Sequence, residues 1–283
     1  MLSNSDQQIV RNIVTSSGSS FYWGMKILEE KQRRAMFAIY SFCRIIDDIA
    51  DSDKELSIKK KEINLWKLKI NNLFIGITDD SVTRELLFSV ESFSLQKSDF
   101  LKILEGMLMD ARQNIVYPKK EFLIKYCDNV AGAVGCLSVK VFGLTDYITS
   151  RKYATNLGRA FQLTNIIRDL NEDLNMGRCY ISENYLKKVG LKKIPLKNLI
   201  DSKKIDILCQ EVLNDAKEYY AMAEKYAKEL EKTKLKASEL MKDFYTCIFY
   251  KMYNKNWDKK KRVRLNLFEK IFLIFKSMIG DRN

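Results

Sequence analysis

Residues 33–51 read RRAMFAIYSFCRIIDDIAD. Ala38, Ile39, Phe42, Ile45, Ile46 and Ile49 recur at the spacing of one helix face. Tyr40, Arg44, Asp47, Asp48 and Asp51 form a second stripe on the same helix. Asp47 and Asp51 stand one turn apart, so their carboxylates can converge. Like charges at that spacing cost roughly 0.2–0.5 kcal/mol in a helix, and a cation between them reverses the sign. The stretch therefore predicts a core helix that carries negative charge toward something cationic.

Residues 159–180, RAFQLTNIIRDLNEDLNMGRCY, repeat the arrangement. Leu163, Ile166, Ile167, Leu170 and Leu174 make the apolar face. Gln162, Asn165, Asp169, Glu172 and Asp173 make the polar one, and Gly177 offers a helix stop, with Arg178 and Tyr180 after it. One D-x-x-x-D pair is more often a solvated face. Two pairs, each with an arginine just upstream (Arg44 and Arg168) and neither with a lysine among them, point to a site. Facing carboxylates repel an anionic substrate. Mg²⁺ converts that repulsion into attachment, because it takes oxygen ligands from a carboxylate or two plus substrate phosphates. Arg44 and Arg168 can donate paired hydrogen bonds to the same phosphates.

The rest of the composition agrees with a helical chain. The 283 residues include only 2 prolines and 11 glycines, so long helices are expected and one all-α domain is the economical reading. The net charge of +13 favours an anionic partner. The positive charge is spread out and the candidate cavity is acidic, so nucleic acid is not the expected partner. The absence of histidine removes serine–histidine triads, histidine-ligated zinc and histidine acid–base chemistry. The six cysteines form no CxxC pair and are expected as reduced core residues. The start of the chain reads as no signal peptide, and no spanning helix is expected, so a cytoplasmic protein is anticipated.

Four stretches resemble the squalene and phytoene synthases, the head-to-head prenyl transferases: SSFYWGMKIL, RRAMFAIYSFCRIIDDIADS, YCDNVAGAVGCLSVKVFG and GRAFQLTNIIRDLNEDLNMGRCYIS. They run in family order from Ser19 to Ser182. The resemblance implies a single all-α domain with a central cavity, the isoprenoid synthase fold. It implies that Asp47, Asp51, Asp169 and Asp173 bind Mg²⁺ with help from Asn165. It implies that Ser20, Phe21, Tyr40, Arg44, Gln162, Arg168, Arg178 and Tyr245 contact prenyl diphosphates, and that Tyr126 lies near the reacting carbons. Tyr126, Arg44 and Arg168 are the catalytic candidates. The SSFYWGMKIL opening and the short chain suggest the branch that condenses two farnesyl diphosphates to presqualene diphosphate in squalene and hopanoid biosynthesis. Phytoene formation from two geranylgeranyl diphosphates, squalene formation with NADPH, and a non-catalytic membrane-bound assembly factor are the alternatives.

Two further stretches carry expectations. Ala131, Gly132, Ala133 and Gly135 fit either close helix packing or space for a prenyl tail. Residues 259–276, KKKRVRLNLFEKIFLIFK, place a basic block before an amphipathic helix with Leu267, Phe268, Ile271, Phe272 and Phe275. Such a tail, after a synthase domain spanning residues 1–258, is expected either to lie on an anionic membrane at the inner face of the cytoplasmic membrane or to dock on the domain. A downstream squalene-forming enzyme is a further expected partner.

Overall fold

The scarcity of helix breakers has its counterpart in the computed structural model, which describes residues 4–19, 21–112, 115–254 and 257–279. The helices are α1 (Asn4–Ser16), α2 (Phe21–Lys26), α3 (Glu30–Asp51), α4 (Leu56–Leu73), α5 (Ser81–Phe93), α6 (Lys97–Ala111), α7 (Lys120–Cys127), α8 (Ala133–Val141), α9 (Tyr147–Arg168), α10 (Leu170–Asn175), α11 (Glu183–Lys188), α12 (Ile205–Ala227), α13 (Lys232–Tyr253) and α14 (Leu267–Ile279). Among the described residues there is no strand, only an isolated bridge between Val116 and Cys179. The all-α expectation holds.

The opening stretch forms α3 with Ala38, Ile39, Phe42, Ile46 and Ala50 buried. Phe42 meets Trp66 and Phe100 edge-on, each at 5.6 Å between ring centroids, which ties α3 to α4 and α6. The end of α3 is fixed by Lys59, a fully buried cation whose Nζ donates to the Ala50 carbonyl at 2.9 Å. A cation there complements the helix dipole and fills one of the orphan carbonyls. That contact holds the turn that carries Asp51.

The second stretch departs from the expectation of one continuous helix. α9 ends at Arg168, Asp169 takes φ −99° and ψ 7°, and α10 begins at Leu170. The bonds from Asp169 N–H to Asn165 O (2.8 Å) and from Asp173 N–H to Asp169 O (3.0 Å) survive, so the break is a local bend. Gly177 ends α10 at φ +76°. Its N–H donates to Leu174 O at 3.1 Å and that of Arg178 to Asp173 O at 2.8 Å, a Schellman closure that turns Arg178 back over the helix. Cys179 then exchanges backbone bonds with Ile115 and Tyr117 at 2.7 and 3.1 Å. This pins Arg178 and Tyr180 beside the end of α6.

The small-residue stretch serves close packing. Residues 128–132 form a π turn that joins α7 to α8. A Cβ on Gly158 would stand 2.7 Å from Gly132 N and 2.8 Å from the Ala131 carbonyl carbon. Ala131, Val134 and Gly135 also face the central cavity, so the second reading holds as well. Gly158→Ala should destabilise the protein by about 2–3 kcal/mol in urea unfolding, because backbone cannot yield as a side chain can. Gly24→Ala should cost less, since its obstacle is the flexible Met241 side chain.

All six cysteines are free, and four are buried. One segment, Lys120–Val141, is long and apolar enough to cross a membrane by length and composition alone, and half of its apolar window is buried inside the bundle.

The tail returns to the body. Leu265 is buried in the core, Val263, Leu273 and Ile274 pack against it, and Asn171 Nδ2 donates to the Lys260 carbonyl at 3.1 Å. α14 lies against α13. Its Leu267, Phe268, Ile271, Phe272 and Phe275 stay exposed, Phe268 at 83%.

Candidate active site

α3, α6, α8, α9 and α13 surround one cavity of about 570 Å³. Its depth is apolar, with Met25, Ile39, Met107, Val134, Phe142 and Met241 among the lining side chains. Its mouth is charged. Every sequence candidate except Ser20 lines it: Phe21, Tyr40, Arg44, Asp47, Asp51, Tyr126, Gln162, Asn165, Arg168, Asp169, Asp173, Arg178 and Tyr245. Ser20 lies outside the described residues.

The two aspartate pairs face each other, and Arg178 spans the gap. Its Nη1 stands 2.9 Å from Asp51 Oδ1 and its Nη2 3.4 Å from Asp173 Oδ1. The other carboxylates also hold arginines. Arg168 clasps Asp169 through Nε and Nη2 at 2.7 and 2.6 Å. Arg44 reaches Asp48 at 2.6 Å and Asp47 at 3.6 Å. Below them Phe161 stacks on Tyr245 with centroids 4.2 Å apart, and Phe21 stands 5.4 Å from Tyr245. These rings form an apolar neck between charged mouth and greasy depth. The Tyr40 hydroxyl donates to Ser17 Oγ at 3.0 Å, and Tyr245 neighbours the Arg168 guanidinium.

Two contributors escaped the sequence reading. Asp110, at the end of α6, is 6% exposed and accepts a hydrogen bond from Tyr126 at 3.1 Å. The Tyr180 hydroxyl donates to its other oxygen. The signal was present, since Ile103, Met107 and Asp110 share one helix face and an acid on a buried face calls for a reason. Arg262 comes from the basic block of the tail. Its Nε lies 3.0 Å from Asp169 Oδ1 and its Nη1 3.1 Å from Glu172 Oε2.

The donor set suits a divalent hard cation. Asn165 Oδ1 is buried with no hydrogen-bond partner, an orphaned acceptor beside two carboxylates of the second pair. Among the described residues no three acidic or cysteine side chains form a ready-made cage. Mg²⁺ does not need one, since it keeps several waters and shares its shell with substrate phosphates. Asp47, Asp51, Asn165, Asp169 and Asp173 are the oxygens that would hold it.

Burial pushes Asp173 up to about 7, with Arg178 opposing and Asp169, Asp110 and Asp51 adding to the rise. Asp47 is likewise pushed up to about 7 by burial and by Asp51 and Asp110. Its side chain keeps 42% exposure against 13% for Asp173, so water screens Asp47 more and Asp173 is the firmer case. The folded state thus holds protons that the unfolded chain, with carboxyls near 3.8, gives up. Stability of the metal-free protein should fall as pH rises from about 5 to about 7. Carboxylates such as Asp6, held at about 2 by its paired bonds to Arg84, are ionised throughout that window and do not oppose the trend. Thermal melting in chelator tests this. The slope should shrink with Mg²⁺ present and in Asp173→Asn, and an unchanged slope in that variant would refute the assignment.

Comparison with known proteins adds to this geometry. The squalene/phytoene synthase family profile matches residues 14–269. A presqualene diphosphate synthase of Zymomonas mobilis is 37% identical over 93% of this chain and 89% of its own length. One from Sinorhizobium fredii is 41% identical over 73% of this chain and 74% of its own. In fold, the chain superposes on a dehydrosqualene synthase crystal structure with a TM-score of 0.81 at 23% identity, covering 98% of this chain and 97% of the other.

Proposed function

The chain belongs to the squalene/phytoene synthase family, and on that premise we propose that it condenses two farnesyl diphosphates head to head into presqualene diphosphate, releasing diphosphate, with Mg²⁺ as cofactor. The observation that carries this is Arg178 bridging Asp51 and Asp173 across the mouth of a deep apolar cavity. The identity to presqualene diphosphate synthases supports the choice of product.

The reaction begins when the C1–O bond of one farnesyl diphosphate breaks and its electrons leave with the diphosphate. Mg²⁺, held by Asp47, Asp51, Asn165, Asp169 and Asp173, would supply charge neutralisation on that leaving group. Arg44, Arg168, Arg178 and Arg262 neutralise the carboxylates in this structure. Their guanidiniums are at the mouth, placed to donate paired hydrogen bonds to phosphate oxygens. The apolar depth excludes water from the allylic cation. The C2=C3 bond of the second farnesyl diphosphate attacks the cation, a proton leaves, and the cyclopropane closes. Burial holds the Tyr126 hydroxyl well above its ordinary pKa, so it is no base at neutral pH. The released diphosphate takes the proton, and Tyr126 orients and stabilises the cation. Purified protein with farnesyl diphosphate and Mg²⁺, without NADPH, should give presqualene diphosphate by mass spectrometry. Phytoene from geranylgeranyl diphosphate instead, or no product from either substrate, would overturn the proposal.

The same reading places the enzyme in hopanoid-type squalene biosynthesis in the cytoplasm, peripheral on the inner membrane face and passing its product to a squalene-forming enzyme. The exposed apolar row of α14 beside a basic block supports contact with anionic lipid. Phe268→Asp with Phe272→Asp should abolish sedimentation with phosphatidylglycerol vesicles and leave folding intact, because both rings are solvent-facing. Retained binding would refute the contact. Removing everything after residue 258 is a poorer test, since Arg262 and Leu265 belong to the site and the core.

A further inference from the structure

We infer that Asp110 is a positioning residue that fixes the dipoles of Tyr126 and Tyr180 so that their oxygens, not their protons, face the prenyl cation. This rests on the head-to-head reaction proposed above. The two phenol rings stack with centroids 5.0 Å apart and 20° between planes. Each phenol has one proton to donate. Tyr126 gives its proton to Asp110 Oδ2 and Tyr180 gives its own to Oδ1. What remains toward the cavity is lone-pair density and the negative ring face, which attract a cation and offer a diphosphate nothing. Asp110 is buried, and Arg178, its one ion-pair partner among the described residues, stands 3.9 Å away and is shared with Asp51 and Asp173. Burial also holds both hydroxyls above their ordinary range, so the protons stay on the phenols. Asparagine in place of Asp110 keeps the size but brings an amide donor, which turns at least one phenol around.

The consequence is in how the cation is spent. With the dipoles set, C1 is attacked by the second double bond and a proton is lost. With a dipole reversed, the cation is less well held and water adds to C1, losing a proton to give farnesol. The test compares wild type, Asp110→Asn, Tyr126→Phe and the double variant with farnesyl diphosphate and Mg²⁺. Asp110→Asn should lower kcat roughly 30-fold or more with KM within about threefold, the signature of a lost transition-state interaction. The farnesol fraction should rise several-fold. The double variant should fall within about threefold of the worse single variant, because the two residues act as one unit. Separately, a farnesyl-like ammonium ion bound with inorganic diphosphate and Mg²⁺ should lose about tenfold or more in affinity in Asp110→Asn, while farnesyl thiodiphosphate, uncharged in its tail, loses under about threefold.

Multiplying effects in the double variant, an unchanged product ratio, or equal affinity loss for both ligands would overturn the inference. If Asp110→Asn does not fold, Tyr126→Phe with Tyr180→Phe carries the same two readouts, and wild-type values there overturn it equally. Wild-type protein that makes no condensation product defeats the proposed reaction, while the ammonium comparison still decides the role of Asp110.

Discussion

An Asp47→Ala, Asp169→Ala variant should lose roughly 10³-fold or more in turnover while remaining folded. With no histidine in the chain, carboxylates and the orphaned amide oxygen of Asn165 are the groups at the mouth that would hold a hard cation. The double substitution takes one carboxylate from each wall, so neither pair keeps both of the oxygens that would hold the cation. Stability should divide between the two positions. Asp47 is pushed upward by burial and by like charges, so Asp47→Ala alone should melt no lower than wild type in chelator. The double variant should melt lower, because it strips the largely buried Arg168 of its paired bonds to Asp169, and Mg²⁺ should raise its melting temperature less than that of wild type. Asp48→Ala is the control. Asp48 belongs to the same sequence stripe, yet its side chain is 57% exposed and points along the helix surface to Arg44. It should cost less than about fivefold, as surface ion pairs do. Equal losses from Asp48→Ala and the double variant would show that charge on α3, not metal ligation, matters.

That control marks the limit of what periodicity can say. The apolar and polar faces of α3 were legible because a helix buries residues at a fixed spacing. The stripe did not separate Asp47 from Asp48, since one step around the helix is smaller than the width of a face. The bend at Asp169 was hidden for a different reason. Its backbone bonds continue on both sides, so no proline or glycine announces it. Asp110 and Arg262 arrive from α6 and the tail, and local pattern does not report which distant elements converge. The tail shows both halves of the problem. Its apolar row of five named residues stays exposed on α14. Its basic block was read with the rest of the tail as either lipid-facing or docked on the domain, and no residue of it was assigned to the site, whereas Arg262 folds onto Asp169 and Glu172. Uncompensated carboxylates drew it in, and that charge balance exists only once the fold has assembled.

The same balance makes Arg178→Gln the substitution with the largest expected effect on stability. The Arg178 side chain is 10% exposed and touches three carboxylates: Asp51 at 2.9 Å, Asp173 at 3.4 Å and Asp110 at 3.9 Å. Breaking a buried ion pair by removing one partner typically costs 3–5 kcal/mol, because the other charge is left uncompensated. Asp51 is 46% exposed and water recovers part of that, so about 3 kcal/mol is expected, a fall of roughly 5–10 °C in melting temperature. Arg178→Lys should recover less than half, since one ammonium cannot serve Asp51 and Asp173 with separate donors as the guanidinium fork does. Mg²⁺ discriminates the site from an ordinary salt bridge. A cation among Asp47, Asp51 and Asp173 replaces the charge that Arg178 supplied, so Mg²⁺ should restore much of the lost stability of Arg178→Gln and add less to wild type, where the guanidinium already occupies those oxygens. Turnover should not recover with it, because the ion cannot also stand in for a donor to the leaving diphosphate. A variant as stable as wild type in chelator, or one whose loss Mg²⁺ leaves untouched, would show that Arg178 does not hold the two aspartate walls together.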